Sequence, residues 1–519
     1  MSADQHTCVV IGGSIAGTFF AAAAAPVFDR VIVLDRDHLE TELTALQRPS
    51  HDYQYLCEEA ASHKSVFQSL QMHVLLAGGA VSVAKLLPGF KEQCIRSGAN
   101  HMGSGCPIGT NVKMNYGDGP LPSMAAPDGY SVLLGTRVLF ERCARACLIE
   151  QHPNVEVRTP CKVDCVIFDA QERSVKGVQL ASGEKIPAAL VIDATGGRSH
   201  VIAQFMKEKC SQTVETVKYD VGLNYHTRFF RIPDKVLQQP KEERTWFSAY
   251  MPRPTSPSTV TGMLQVVEGN MYQALISRMN GQKCGPKLED FMTQLKSLPD
   301  QDVYETLKDA EPLGPAFDYL GAKGTQRHFY ERLYMPDNYV VLGDALAHLN
   351  PCFGSGMTSA AFQADMLREQ LTLAANSRQK HLMGQSLSSS QLKGYSNKIQ
   401  RQAAKAVELP FTLVRDGDLQ YDFCKGPRNR SPVQKVVGAY IDGVQDLLPH
   451  SKVVAATWLM VAVFLQPPEQ LFKPGILREV LPHLAALKWR SMCITLRLCL
   501  MAIGLVFPLL VFSAVIRAF

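Results

Sequence analysis

A chain of 519 residues that is 46% hydrophobic and 19% charged, with 37 glycines and 30 prolines, has a globular composition and the length for at least two folded units, which excludes a minimal binding module and a disordered chain. Lys and Arg number 53 against 48 Asp and Glu, a net charge of +5 spread thinly, so no basic stripe for nucleic acid is expected. The 14 cysteines are scattered, with no Cys-x-x-Cys pair and no paired-histidine motif, so no metal is expected; the nearest approaches to a pattern are Cys143/Cys147 and Cys161/Cys165, and the first pair fits one face of a helix as buried free thiols.

Met1–Thr7 is short and polar and leads straight into apolar residues, leaving no room for a signal peptide; the folded part is expected to face a reducing cytosol. Residues 8–11 form an apolar strand that enters the turn Gly12-Gly13-Ser14-Ile15-Ala16-Gly17, a small-residue helix follows to Ala25, and residues 30–34 form a second strand ending at Asp35. This is the order of a dinucleotide-binding βαβ unit. Gly12 permits the tight turn, Gly17 lets helix and strand approach, the helix N-terminus favours a pyrophosphate, and Asp35 can accept from a ribose hydroxyl. Ser14 replaces the middle glycine of the fingerprint with a small side chain able to donate to phosphate. A βαβ unit without a ligand is the alternative.

Strands are expected at 155–166 and 175–180, then at Leu190-Val-Ile-Asp193, which ends in Ala194-Thr195-Gly196-Gly197. Residues 199–335 alternate as strands at 221–232, 244–251, 259–267 and 271–276, a sheet-rich unit in which Phe230, Trp246 and Phe247 are candidate pocket walls, core packing being the default for strand aromatics. A further strand from Tyr339 ends at Gly343-Asp344 and leads through Asn350-Pro351 to Gly354-Ser355-Gly356, which opens a helix. After Ala360 the pattern is helical, with a polar loop near 385–391 and a core helix at 453–465. From Leu498 to Ile516 every residue is uncharged, enough at about 1.5 Å per residue to cross about 30 Å of hydrocarbon. Lys488, Arg490 and Arg497 precede this run and Arg517 follows it, which keeps the preceding part cytosolic if the run is an anchor. A buried helix closing the core is the alternative.

Taken in order, these motifs resemble the FAD-dependent monooxygenases of the p-hydroxybenzoate hydroxylase and squalene monooxygenase type. The resemblance rests on Gly12–Gly17, on Asp193-Ala-Thr-Gly196, and on Gly343-Asp344 with Pro351, Gly354 and Gly356. It implies that Gly12, Gly13, Ser14, Ala16, Gly17 and Asp35 hold the adenosine diphosphate part of FAD, that Arg137 lies near the phosphates, and that Asp344 holds the ribityl chain. It places the backbone from Pro351 to Gly356 near the isoalloxazine. A narrower resemblance, to a microbial secondary-metabolism branch, rests on residues 66–76 with Leu86-Leu87-Pro88-Gly89, and implies Gln68 and His73 near the cofactor; for His73 a helix-packing role is the alternative. Residues 50–64 read as an insertion.

The expected fold is α/β: a discontinuous Rossmann-type FAD domain over 1–198 and 336–380, an inserted sheet-rich substrate domain over 199–335, a helical region over 381–490, and a membrane anchor over 491–519. The expected activity is epoxidation or hydroxylation of a lipophilic terpenoid, meroterpenoid or polyketide intermediate, with O2 and with NADPH acting directly or through a flavoprotein reductase. The oxygen chemistry belongs to the cofactor, so no catalytic acid or base is assigned. The expected location is membrane-anchored with the catalytic part toward the cytosol, on the endoplasmic reticulum in a eukaryote. A flavin oxidase, dehydrogenase or prenyl reductase, and a non-catalytic flavin-binding membrane protein, are the alternatives. A halogenase is disfavoured because no Trp-x-Trp-x-Ile-Pro segment occurs.

Overall fold

The computed structural model describes residues 6–48, 52–117, 119–197, 201–254, 256, 258–322, 324–376, 386–428 and 431–488. The chain begins with β1 (Thr7–Ile11), α1 (Ile15–Ala24) and β2 (Arg30–Leu34). Next come α2 (Tyr53–Ser62), α3 (Arg137–Gln151), β3 (Val155–Arg158) and β4 (Leu190–Asp193). The middle contributes β5 (Leu223–Arg231), β6 (Phe247–Tyr250), β7 (Thr261–Val267), β8 (Met271–Arg278), α4 (Leu288–Lys296) and β9 (Phe317–Ala322). The last third contributes β10 (Tyr339–Val341), α5 (Gly356–Asn376), α6 (Tyr395–Asp418), α7 (Pro432–Asp446), α8 (Lys452–Ala462) and α9 (Pro474–Lys488).

Five strands form one parallel sheet in the order β10-β4-β1-β2-β3. A strand with helices on both faces is apolar throughout, which is why residues 8–11, 31–34 and 190–192 read as unbroken hydrophobic runs. β10 comes about 150 residues after β4 in sequence yet pairs beside it, Ile192 opposite Val340. Everything between the two is therefore looped out of this sheet.

The looped-out part carries a larger, mostly antiparallel sheet centred on β5-β8-β7-β6. That sheet also recruits Pro107–Ile108, Val112–Asn115 and Met124–Ala125 from before residue 198, Val112–Asn115 running parallel to β6. Strand alternation gives the sheet two faces. On β5, His226, Arg228 and Phe230 point toward α4: His226 Nε2 accepts from Cys284 N, Arg228 donates to Pro286 O, and Phe230 lies 6.4 Å from the Phe291 ring. Tyr225, Thr227 and Phe229 point the other way, toward the Leu349–Cys352 stretch, Gln71 and Tyr53 of α2. The C-terminal helices α7, α8 and α9 pack together with Phe247 and Ala249 of β6 in a separate apolar cluster. The molecule is thus mixed α/β, with a sheet-rich middle and C-terminal helices.

One expectation is corrected. Among the described residues no helix is long and apolar enough to cross a membrane. The apolar run 498–516, on which the anchored, cytosol-facing location rested, lies outside the described residues. The stretch at 453–465 is helical to Ala462 and packs in the C-terminal cluster, where Phe464 turns the chain at φ +60°.

Candidate functional site

Three motifs distant in sequence meet at the carboxyl ends of β1, β4 and β10, where open α/β sheets bind ligands. Gly12 sits at φ +103°, and a Cβ there would lie 2.6 Å from Ala194 O. Gly17 is more constrained, since a Cβ would come within 1.8 Å of Gly12 O. Gly343, at φ +67°, faces Ala16 and Phe20 of α1, its Cβ position 3.4 Å from Ala16 Cβ. Gly197 abuts His348, and Asp193 Oδ2 accepts from Tyr339 OH at 2.7 Å.

Around the glycine turn the side chains are tied together. Asp35, 5% exposed, accepts from Gly13 N through Oδ2 at 2.6 Å and from Asp37 N through Oδ1 at 2.9 Å. Arg137 is the first residue of α3, whose N-cap Thr136 accepts from Leu139 N. Its guanidinium donates to Ser14 Oγ at 2.7 Å and to Glu141 Oε1 at 3.0 Å, and Ser14 Oγ donates to the same Glu141 oxygen at 2.6 Å. His63 Nδ1 bonds Glu141 Oε2 at 2.9 Å, and its Nε2 lies 3.8 Å from Asp35 Oδ2. Burial alone would raise the Glu141 pKa, but His63 and Arg137 hold it well below the usual carboxylate range. Burial likewise works against a charged His63, and Glu141 and Asp35 outweigh it, so that pKa is raised. Asp35, Asp37 and His63 also place three ligand-type atoms within 4.8 Å of one another.

At the other end, Asp344 Oδ2 bonds His348 Nδ1 at 3.0 Å. Burial raises the Asp344 pKa less than His348, Arg137 and His73 lower it. His73 lies outside regular structure just before Val74 and not on a helix, its Nδ1 paired with Gln71 O at 2.8 Å. Burial and the Arg137 charge push its pKa down to about 4, against the pull of Glu141 and Asp344. His73, Arg137, Glu141 and Asp344 therefore share one electrostatic neighbourhood. At Gly354, φ +61°, a Cβ would lie 3.3 Å from Val74 Cγ2, which brings the Pro351–Phe353 turn against the same segment.

Segment 68–76 is sewn to the large sheet by glutamines. Gln273 donates to Leu70 O at 3.0 Å, Gln265 donates to His73 O at 3.1 Å, and Gln71 takes a hydrogen bond from Thr227 and gives one to Phe317 O. Gln68 is half-buried, its carbonyl accepting from Gln71 N. The apolar surface beside this segment is built by Tyr225, Met263, Leu275 and Tyr319 with Met72, Leu349 and Cys352.

The three aromatic wall candidates are placed elsewhere. Phe230 lies on the sheet face turned to α4, because strand alternation sends its neighbour Phe229 the other way. Phe247 and Trp246 pack with the C-terminal helices. Sequence reasoning missed Glu141, although an acid four residues after Arg137 on one helix is a pairing signal. It also missed His63, whose placement by α2 has no sequence signature.

The residues present fit FAD on two observations. The glycine turn opens α1 with no acidic residue in its first turn, and α5 begins at Gly356, where a Cβ would meet nothing within 4 Å. Beside it, the Ser355 and Thr358 hydroxyls are buried without a partner among the described residues, as is His348 Nε2.

The tryptophan halogenase family profile matches residues 138–237. "Protein Rv3254" of Mycobacterium tuberculosis is 26% identical over 393 residues, 72% of this chain and 74% of that protein. A flavoprotein/dehydrogenase from Cytophaga hutchinsonii superposes with TM-score 0.57 at 13% identity, covering 93% of this chain and 99% of that one. PqsL of Pseudomonas aeruginosa, a probable FAD-dependent monooxygenase, superposes with TM-score 0.50 at 14% identity, covering 80% and 98%. The chain thus shares its fold with these flavoproteins over most of its length.

Proposed function

We propose that this chain is an FAD-dependent monooxygenase that epoxidises or hydroxylates a lipophilic terpenoid, meroterpenoid or polyketide intermediate with O2 and NADPH, the latter acting directly or through a flavoprotein reductase. The observation that carries this reading is the meeting of the Gly12–Gly17 turn, the Asp193–Gly197 segment and Gly343-Asp344 at one edge of the parallel sheet, with an apolar sheet face beside them. In this reading the first-turn amides of α1, with Gly12, Gly13, Ser14, Ala16 and Gly17, take the phosphates, and Arg137 supplies the cation. Asp35 takes the ribose and Asp344 the ribityl chain. Gln68, His73 and the backbone at Pro351, Gly354 and Gly356 border the isoalloxazine.

Bound FAD supplies electron acceptance from NADPH and reaction with O2. The chain's own work is orientation and exclusion of water. His73, with its pKa near 4, is neutral at pH 7 and offers a hydrogen-bonding edge without a charge. Tyr225, Met263, Leu275 and Tyr319 give a wall with few polar atoms, which suits a lipophilic substrate and keeps the reacting centre dry.

Halogenation is the second reading, favoured by the match of residues 138–237 to the tryptophan halogenase profile and opposed by the absence of a Trp-x-Trp-x-Ile-Pro segment. FAD-loaded protein, reduced and then exposed to oxygen-18 gas with chloride or bromide present, separates the two: a product carrying oxygen-18 supports monooxygenation, and a halogenated product supports the second reading. An oxidised product with neither label favours an oxidase or dehydrogenase.

A further inference from the structure

Helix α6 ends on a carboxylate that is completely buried, Asp418 at 0% exposure. Its Oδ1 accepts from Asn350 Nδ2 and its Oδ2 from Thr325 Oγ1, both at 2.6 Å. Thr325 Oγ1 in turn accepts from Asn350 N at 3.2 Å, and Asn350 Oδ1 accepts from Cys352 N at 3.0 Å. Asn350 is thus fixed at its backbone nitrogen, its amide nitrogen and its amide oxygen, and it is the residue from which the Pro351–Phe353 turn starts. The neighbouring Gly417 closes the contact, since a Cβ there would come within 2.5 Å of the Phe353 ring.

The other end of α6 grips the preceding strand in the same manner. Ser396 Oγ accepts from Tyr339 N at 3.1 Å, and Gln400 both accepts from Val341 N and donates to Val341 O. One helix therefore brackets the whole stretch from Tyr339 to Phe353 through buried polar side chains. A carboxylate buried with two neutral donors and no cation is costly to the fold, so its place at the root of this turn calls for a reason.

We propose that Asp418 is the positioning residue of the Pro351–Gly356 turn, holding it through Asn350 and Thr325 at the distance the isoalloxazine requires. The inference rests on the cofactor reading above. The groups facing the carboxylate are Asp220 before β5, Tyr225 on β5, Cys352 in the turn, and Tyr421 and Cys424 beyond α6. Burial raises the Asp418 pKa to about 6, the Thr325 and Asn350 hydrogen bonds pull against it, and Asp220 adds to the rise.

The test compares wild type with Asp418→Ala and Asp418→Asn. Alanine leaves the Asn350 amide N–H and the Thr325 hydroxyl hydrogen without their acceptor, whereas asparagine can still accept from Asn350 and donate to Thr325. Hydrogen–deuterium exchange over residues 350–356 in the FAD-free protein is expected to rise about tenfold or more in Asp418→Ala and little in Asp418→Asn. In FAD-loaded protein the visible flavin spectrum should shift in Asp418→Ala and return to the wild-type form in Asp418→Asn. Unchanged exchange over 350–356 in Asp418→Ala, or a flavin spectrum unmoved while exchange rises, overturns the proposal. If Asp418→Ala does not fold, Asn350→Ala removes the same link from the other side and is read by the same two measurements. Failure of wild type to bind FAD would refute the cofactor reading, and with it the flavin-positioning role, while the exchange result still reports whether Asp418 holds the turn.

Discussion

Gly17→Ala adds one methyl group at the tightest point of the dinucleotide turn. The new Cβ would lie 1.8 Å from Gly12 O and 2.9 Å from Gly12 C, where real contacts stay beyond about 3.0 Å. Both obstacles are backbone, so no side chain can swing away, and the first turn of α1 must retreat from β1 by more than an ångström. That movement separates the amides of α1 from the Gly12 turn and strains the contact of Gly343 with Ala16. Overpacking of this kind costs about 1–3 kcal/mol of stability. Displaced phosphate-binding amides should weaken FAD binding by about two orders of magnitude or more, since an ångström of misplacement is that costly in a preorganised site. Gly475→Ala, on the exposed start of α9, is the matched control, because a Cβ there meets nothing within 4 Å. The assay is FAD titration by fluorescence quenching, with thermal unfolding of the FAD-free proteins alongside. FAD affinity within threefold of wild type in Gly17→Ala would refute the reasoning, as would a Gly475→Ala variant that loses FAD while folding normally.

Glu141→Gln leaves Arg137 and His63 without their shared buried anion, a loss of about 3–5 kcal/mol, and should lower both the unfolding midpoint and FAD affinity. Because the folded Glu141 pKa is depressed, its stabilisation is present above the unfolded carboxylate pKa, about 4.3, and is lost as pH falls below it; urea unfolding at pH 3–5 should show that slope in wild type and less of it in the variant. His73 behaves in the same direction for the opposite reason: its pKa drops to about 4 on folding, so burying it neutral costs stability as pH falls from about 6.5 toward 4, and His73→Gln should flatten the wild-type profile in that window. Tyr339→Phe removes the donor to Asp193 and should cost about 1–3 kcal/mol, read by chemical denaturation.

Much of the fold was legible because its signals are local. Residues 8–11, 31–34 and 190–192 are buried on both faces and so read as continuous apolar runs, and Gly12 and Gly17 mark backbone that admits no Cβ. The pairing of β10 with β4 was reachable only through motif order, since nothing local joins Val340 to Ile192. The aromatics show where local reading stops. Alternation states that Phe229 and Phe230 face opposite ways but not which faces the cofactor side, and the answer depends on α4 covering one face of the sheet. Long-range polar contacts were also out of reach: Gln265, Gln273 and Asp418 look like ordinary polar residues until the fold brings them to His73, Leu70 and Asn350. His63 enters the site only because α2 folds over the glycine turn.

The most direct test of the central claim is anaerobic mixing of FAD-loaded protein with NADPH, with a flavoprotein reductase supplied in a parallel sample, followed by oxygen-18 gas and a lipophilic extract of the producing cell, with products read by mass spectrometry. Bleaching of the flavin followed by one oxygen-18 atom in a product of otherwise unchanged skeleton is the result expected of a monooxygenase. Reoxidation that yields only hydrogen peroxide and an oxidised product free of the label would contradict it.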